Sequence, residues 1–174
     1  MKSSQRRRDP LATLANVATL CVAATILAIV VYGFLARRAR EHRHLVPTGT
    51  KLSLRIPPAV RADRVLILVL SSDCDYCSQD APFYQQISKA KTDGTFLVAV
   101  LPQELSESRR YLQEHGIVVD QIVRSSPGKF GARGTPTLIL ARRDGTVLRS
   151  WAGRLPNAEK SAVIELLSAR KPIA

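Results

Sequence analysis

An unbroken apolar run, Val65-Leu66-Ile67-Leu68-Val69-Leu70, leads within a few residues into Cys74-Asp75-Tyr76-Cys77. A continuous run of this kind is the mark of a strand buried on both faces. The residues that follow, Ala81 to Lys91, are compatible with a helix. Cysteines at i and i+3 share one helical turn and can be joined by a disulfide. A helix N-terminus offers unpaired N–H groups and the positive end of the helix dipole, and both favour a thiolate. The thiolate is the reactive form of cysteine. A strand that delivers C-x-x-C to a first helical turn therefore points to thiol–disulfide exchange.

The chain holds only three cysteines, too few for a disulfide framework. Cys74 and Cys77 form one pair, and Cys21 lies alone in an apolar segment, where a free cysteine behaves as a small hydrophobe. A closed zinc site needs four ligands, and the chain has no second C-x-x-C and no paired-His motif. The net charge is +12, divided evenly. Residues 1–44 carry eight Lys/Arg against two acids, and residues 45–174 carry eighteen against twelve. Half of the excess thus flanks one apolar segment. No basic stripe interleaved with aromatics appears, so nucleic acid is not an expected partner.

No charged residue lies between Asp9 and Arg37. The apolar core, Leu11 to Leu35, would span about 37 Å as a helix, enough for a tilted crossing of a bilayer core about 30 Å thick. A cleaved signal peptide would have a shorter apolar region and a small-x-small cleavage site. A buried helix of a soluble fold is the other alternative. The reading adopted is a basic tail over 1–10, a transmembrane anchor over 11–36 in contact with membrane lipid, a tether over 37–49 and a compact domain over 50–174. Basic residues flank the anchor equally on both sides, so charge alone does not orient it. The free N-terminal amine tips the N-terminus toward the cytoplasm.

Within the domain, Lys51–Ile56 alternates like an edge strand. A helix is expected from about Cys74 to Lys91, a buried strand over Phe96–Leu101 and a helix over Ser106–His115 with Gly116 as its C-cap. A short strand falls within Ile117–Val123. Thr137–Ala141 and Thr146–Trp151 read as a hairpin about Arg142-Arg143-Asp144-Gly145. A last helix runs from Pro156 to about Arg170. This order argues for an α/β fold with a mixed central sheet flanked by helices.

Gly134-Thr135-Pro136-Thr137 precedes a strand directly, the place where a strand tolerates proline. A cis bond there would expose the Thr135 backbone to an extended partner chain, which could add as a strand. A plain trans-proline turn is the alternative. With this second motif in hand, the chain resembles the thioredoxin family. The resemblance rests on the C-x-x-C helix, on Phe130 to Leu140 around Pro136, and on Arg143-Asp144-Gly145-Thr146-Val147 followed by Gly153, and it covers about residues 50–170. The added segment Ser106–Val123 is similar to the inserted helix and strand of the TlpA/ResA branch, bacterial membrane-anchored thiol–disulfide oxidoreductases that face the cell exterior.

The resemblance implies Cys74 as the attacking thiol, Cys77 as the resolving thiol and Pro136 as a cis-proline. Thr135 would pair with substrate, and Tyr76, between the cysteines, joins Thr135 and Pro136 as a substrate-contact candidate. Asp80 stands where the branch often has a glutamate that assists proton transfer, with Pro82 matching a following proline; a solvated first-turn acid is the plainer reading of Asp80. Asp73 replaces a tryptophan usual before the first cysteine. Leu68 stands where classical thioredoxins bury an acid, so the proton path must differ.

Asp73 and Asp75 flank Cys74, and adjacent negative charge opposes a thiolate. The expectation is therefore a reductant, acting on protein disulfides outside the cytoplasm. It would need no cofactor beyond its own Cys74–Cys77 disulfide, and a membrane thiol electron donor would recharge it. The implied location is the bacterial inner membrane, with the domain on the periplasmic side. Two rivals remain. One is a copper-binding or delivery protein, since soft thiolates suit Cu(I); the other is a redox-inert interaction domain on the same fold.

Overall fold

The computed structural model describes residues 19–33, 45–54 and 56–169. The chain divides into two compact units, Met1–Arg43 and His44–Ala174. In the first, residues 19–33 form a helix (α1) whose apolar side chains, Ile26, Leu27 and Ile29 among them, are exposed. Among the described residues no helix is long and apolar enough to cross a membrane. The rest of the expected anchor, 11–18 and 34–36, lies outside the described residues. So do the basic tail and tether residues 37–44.

The second unit is built on β1 (Arg64–Val69), β2 (Thr95–Leu101), β3 (Gln121–Arg124), β4 (Thr137–Arg142) and β5 (Val147–Ala152), joined in one sheet of order β3-β2-β1-β4-β5. β1 and β2 are parallel, as are β2 and β3, whereas β4 is antiparallel to both β1 and β5. The sheet is therefore mixed. Its helices are α2 (Asp75–Gln79), α3 (Ala81–Ala90), α4 (Leu105–Glu114) and α5 (Asn157–Ser168).

The two-residue period of a strand, with both faces covered, explains why β1 after Arg64 and β2 after Thr95 are apolar throughout. Leu66, Leu68, Leu97, Ala99 and Leu101 enter one core with α3, α4 and α5 residues such as Tyr84, Ile87, Leu112 and Leu167. Val65, Ile67, Val69, Val98 and Val100 enter the opposite core. Among the described residues that second face is covered without a long helix. Val46, Leu52, Phe130 and Ala132 do the work, from an N-terminal strap and from the loop around a 3-10 turn, Pro127–Phe130. Each fully buried Leu, Ile or Val contributes about 1.5–3 kcal/mol of apolar burial.

The strap is tied on by backbone bonds. Gly49 N donates to Val147 O at 2.8 Å, Val147 N to Thr50 O at 2.9 Å and Leu52 N to Gly145 O at 2.9 Å. Lys51 pairs with Thr146 as an isolated bridge, so the edge strand expected over Lys51–Ile56 shrinks to a single bridge. Gly145 has φ +87°, and a Cβ there would strike the Leu52 carbonyl; the turn and the strap together require glycine.

Two further boundaries differ from the sequence reading. The expected helix from Cys74 to Lys91 breaks at Asp80 (φ −93°, ψ 6°) into α2 and α3, because Pro82 can join only the first turn of a new helix. The strand expected within Ile117–Val123 starts only at Gln121, since Asp120 stops it: Asp120 N bonds Leu97 O and its carboxylate accepts from Leu97 N at 2.7 Å.

Candidate active site

Cys74 is the N-cap of α2, and its sulfur accepts from Cys77 N at 3.3 Å. Its thiol lies 3.4 Å from the Thr135 carbonyl, across 61 residues of sequence. β1 ends at Val69 and β4 begins at Thr137, and these two residues are register partners. The sheet thereby places the loop after β1 beside the loop before β4, which is what brings Cys74 to Thr135. The Thr135–Pro136 peptide is cis. Thr137 Oγ1 donates to Gly134 O at 2.8 Å and closes this loop.

The two thiols differ in environment. Both are free; Cys74 is half-buried and Cys77 fully buried. Burial pushes the Cys77 thiol from 9.0 up to about 12, and the Cys74 side chain adds to the rise. The Ser71 backbone and the Thr135 side chain pull the other way. The outer sulfur is thus the accessible one, and the inner sulfur holds its proton tightly.

Asp80 sits at the α2–α3 junction and is 3% exposed, so it is not a solvated first-turn acid. Lys160 Nζ of α5 approaches its Oδ1 at 2.7 Å and Arg154 Nε at 3.2 Å. Arg154 also donates to Gln79 Oε1 at 3.1 Å. Tyr76 stands out into solvent, 59% exposed, beside the cysteines. Asp73 is held by Gln103, whose Nε2 donates to Asp73 Oδ2 at 3.1 Å and to Ser71 Oγ at 2.8 Å. Asp75 lies exposed in the first turn of α2. Among the described residues no group of three or more His, Cys, Asp or Glu is placed to hold a metal ion.

The structure thus brings Cys74, Cys77, Thr135 and Pro136 into one locus, with Tyr76 and Asp80 on the same short helix or at its end. Sequence reasoning missed Lys160 and Arg154, which lie 80 and 74 residues from Asp80 with no local pattern to mark them. It also missed Tyr84 and Tyr111, two buried phenols in the core that holds Cys77. Their helical spacing reads only as core.

A family model of the thioredoxin-like domain matches residues 59–168. The chain belongs to the thioredoxin-like family. No curated protein matches it by sequence. Among solved structures, it is similar to a protein described as a thiol:disulfide interchange protein DsbE from Chlorobium tepidum, at 23% identity, with 69% of this chain and 94% of that one covered and a TM-score of 0.55. A thiol-disulfide isomerase from Corynebacterium glutamicum aligns at 16% identity over 73% and 97% of the two chains, TM-score 0.52. StoA from Bacillus subtilis aligns at 15% identity over 70% and 94%, TM-score 0.51. At these identities the likeness is one of fold.

Proposed function

We propose that the protein is a membrane-anchored thiol–disulfide oxidoreductase that reduces disulfides of extracytoplasmic proteins through Cys74 and Cys77. The observation that carries this reading is the asymmetry of the pair. A half-exposed sulfur at a helix N-terminus lies against a cis-proline loop, and a buried thiol waits one turn behind it. The names of the solved structures of like fold, interchange protein and isomerase among them, support the same chemistry.

In the forward direction the Cys74 thiolate attacks one sulfur of a substrate disulfide. That S–S bond breaks, the first substrate thiolate leaves and takes a proton from water, and a mixed disulfide with Cys74 forms. Cys77 then gives up its proton and attacks Cys74 Sγ. The second substrate thiolate leaves and is protonated. The substrate has gained two electrons and two protons, and the protein holds a Cys74–Cys77 disulfide. A dithiol donor at the membrane restores it by the reverse exchange.

Thr135 offers its backbone to an extended substrate segment, which Pro136 and the exposed Tyr76 flank. Asp80 assists proton movement at Cys77. The acidic neighbours Asp73 and Asp75 favour a reducing dithiol. The uncharged stretch 11–36 supplies the anchor, and the domain lies on the periplasmic side of the inner membrane.

The test is to equilibrate the full chain, in detergent, with dithiothreitol or glutathione buffers and measure the Cys74–Cys77 potential. A value below about −250 mV is expected for a reductant; one above about −150 mV overturns that direction. The Cys77→Ser variant should trap substrate as a mixed disulfide on Cys74. Failure to trap any overturns the exchange mechanism itself.

A further inference from the structure

The dithiol site is divided by charge. From Val65 to Ser88 the chain carries no lysine or arginine, and in that stretch Asp73 and Asp75, both exposed, flank Cys74. Glu107 of α4 adds to this side, since its carboxylate accepts from Ser72 Oγ at 2.8 Å. From Gln121 to Arg143 the chain carries no acid. Lys129, on the 3-10 turn, and Arg133, two residues before Thr135, are exposed there. The two stretches meet where the Cys74 thiol lies 3.4 Å from the Thr135 carbonyl. An acidic wall thus carries the cysteines, and a basic wall carries the cis-proline.

A third segment extends the basic wall. Gly153 N donates to Pro136 O at 2.8 Å, so the loop after β5 is seated on the cis-proline. Its next residue is Arg154, which is half-exposed although Asp80 and Gln79 anchor its guanidinium. Arg124 is held by Glu104 at 2.8 Å. Arg133 differs: among the described residues its guanidinium has no ion-pair or hydrogen-bond partner. The backbone beside it is open as well. The N–H groups of Arg133, Gly134 and Thr135 make no hydrogen bond among the described residues. An extended segment that adds as a strand at Thr135 finds these donors free and passes Arg133 as it does so.

We propose that the protein selects acidic substrate segments: an extended chain adds at Thr135 with its aspartate or glutamate side chains against Arg133 and Arg154, and with its disulfide over Cys74. Asp73 and Asp75 repel the same acids from the cysteine wall, so the charge divide fixes the side on which they lie. Complementary charge of this kind speeds encounter and suppresses wrong partners more than it tightens binding. This inference names the substrate class of the exchange function proposed above and rests on that function.

The experiment uses the reduced full chain in detergent and short peptides with one central cysteine, joined to 2-mercaptoethanol as a disulfide. Glutamate, lysine or serine occupies the positions before the cysteine in one set and after it in another. Release of peptide thiol is followed in single turnover by chromatography. Each rate is divided by that of the same peptide with dithiothreitol, a neutral dithiol, which removes the intrinsic effect of the charges on the disulfide. In at least one set glutamate should exceed lysine by about fivefold at low ionic strength, the size expected of exposed charge pairs. Added salt should shrink the ratio. Arg133→Glu should abolish or invert it. Lys89→Glu makes the same change of charge at the far end of α3 and should leave it as in wild type. A ratio within about twofold of one in both sets overturns the inference and leaves the exchange function standing. So does a preference that survives Arg133→Glu, or one that Lys89→Glu removes equally. Failure to reduce any of the peptides overturns the exchange function as well.

Discussion

At the scale of single residues, the informative contrast is between two identical side chains three positions apart. Cys74 caps a helix with its sulfur half-exposed, and Cys77 is sealed in the core. Iodoacetamide at pH 8 should therefore modify Cys74 and leave Cys77 nearly untouched, which peptide mass mapping reads separately from Cys21. The same burial links Cys77 to stability. Its pKa is higher in the fold, about 12, than the ordinary 9.0, so the neutral thiol is the form the fold prefers. That contribution is complete below pH 9 and is lost as pH rises toward 12. Chemical denaturation of the reduced protein should show stability declining across that window, and Cys77→Ala should flatten the decline. An unchanged slope in the variant would assign the loss to the raised phenols instead.

At the scale of elements, the α2–α3 junction depends on one carboxylate. Asp80 is buried, while the Lys160 and Arg154 side chains are 19% and 53% exposed. Asp80→Ala strands two cations that still reach water and should cost about 1–3 kcal/mol. Lys160→Met strands a buried carboxylate with one half-exposed partner, and should cost at least as much. Urea midpoints of the two variants decide the order. The junction also marks where sequence reading ran out. The hydrophobic runs located β1, β2 and β4 to within a few residues, since burial on both faces leaves a plain apolar signature. The break at Asp80 was carried by Pro82 alone, which is also tolerated inside a first turn. The ion pair that seals it joins residues far apart in the chain, and no local period records such a contact. Cys74, Cys77, Thr135 and Pro136 were legible because motif spacing encodes backbone geometry. Tyr84 and Tyr111 were not, because a polar tip on a core face looks apolar in sequence.

At the scale of the whole molecule, the redox state should alter stability. A dithiol that gives up its electrons readily is one whose disulfide form the fold prefers, the opposite of a strong oxidant with a stabilised reduced form. The oxidised chain should therefore melt above the reduced chain in parallel thermal scans. A lower melting point for the oxidised form would contradict a reducing role. The excess of positive charge is spread over both units, +12 in total, and no step of the chemistry requires it.

The strap has a consequence for how the domain is made. Lys51 meets Asp144 and Thr146 across 93 and 95 residues. The segment that leaves the ribosome first in this domain thus has its seat among residues made 93 and 95 positions later. Val46 waits likewise for Gly131 and for Ser150, whose hydroxyl donates to its carbonyl at 2.8 Å. Pairings of such long separation form slowly, because the intervening loop must first be closed. Until the hairpin emerges, the second core lies open on the side the strap will cover. A nascent chain halted before Val147 would present that apolar face to chaperones, and completion of a few more residues would withdraw it.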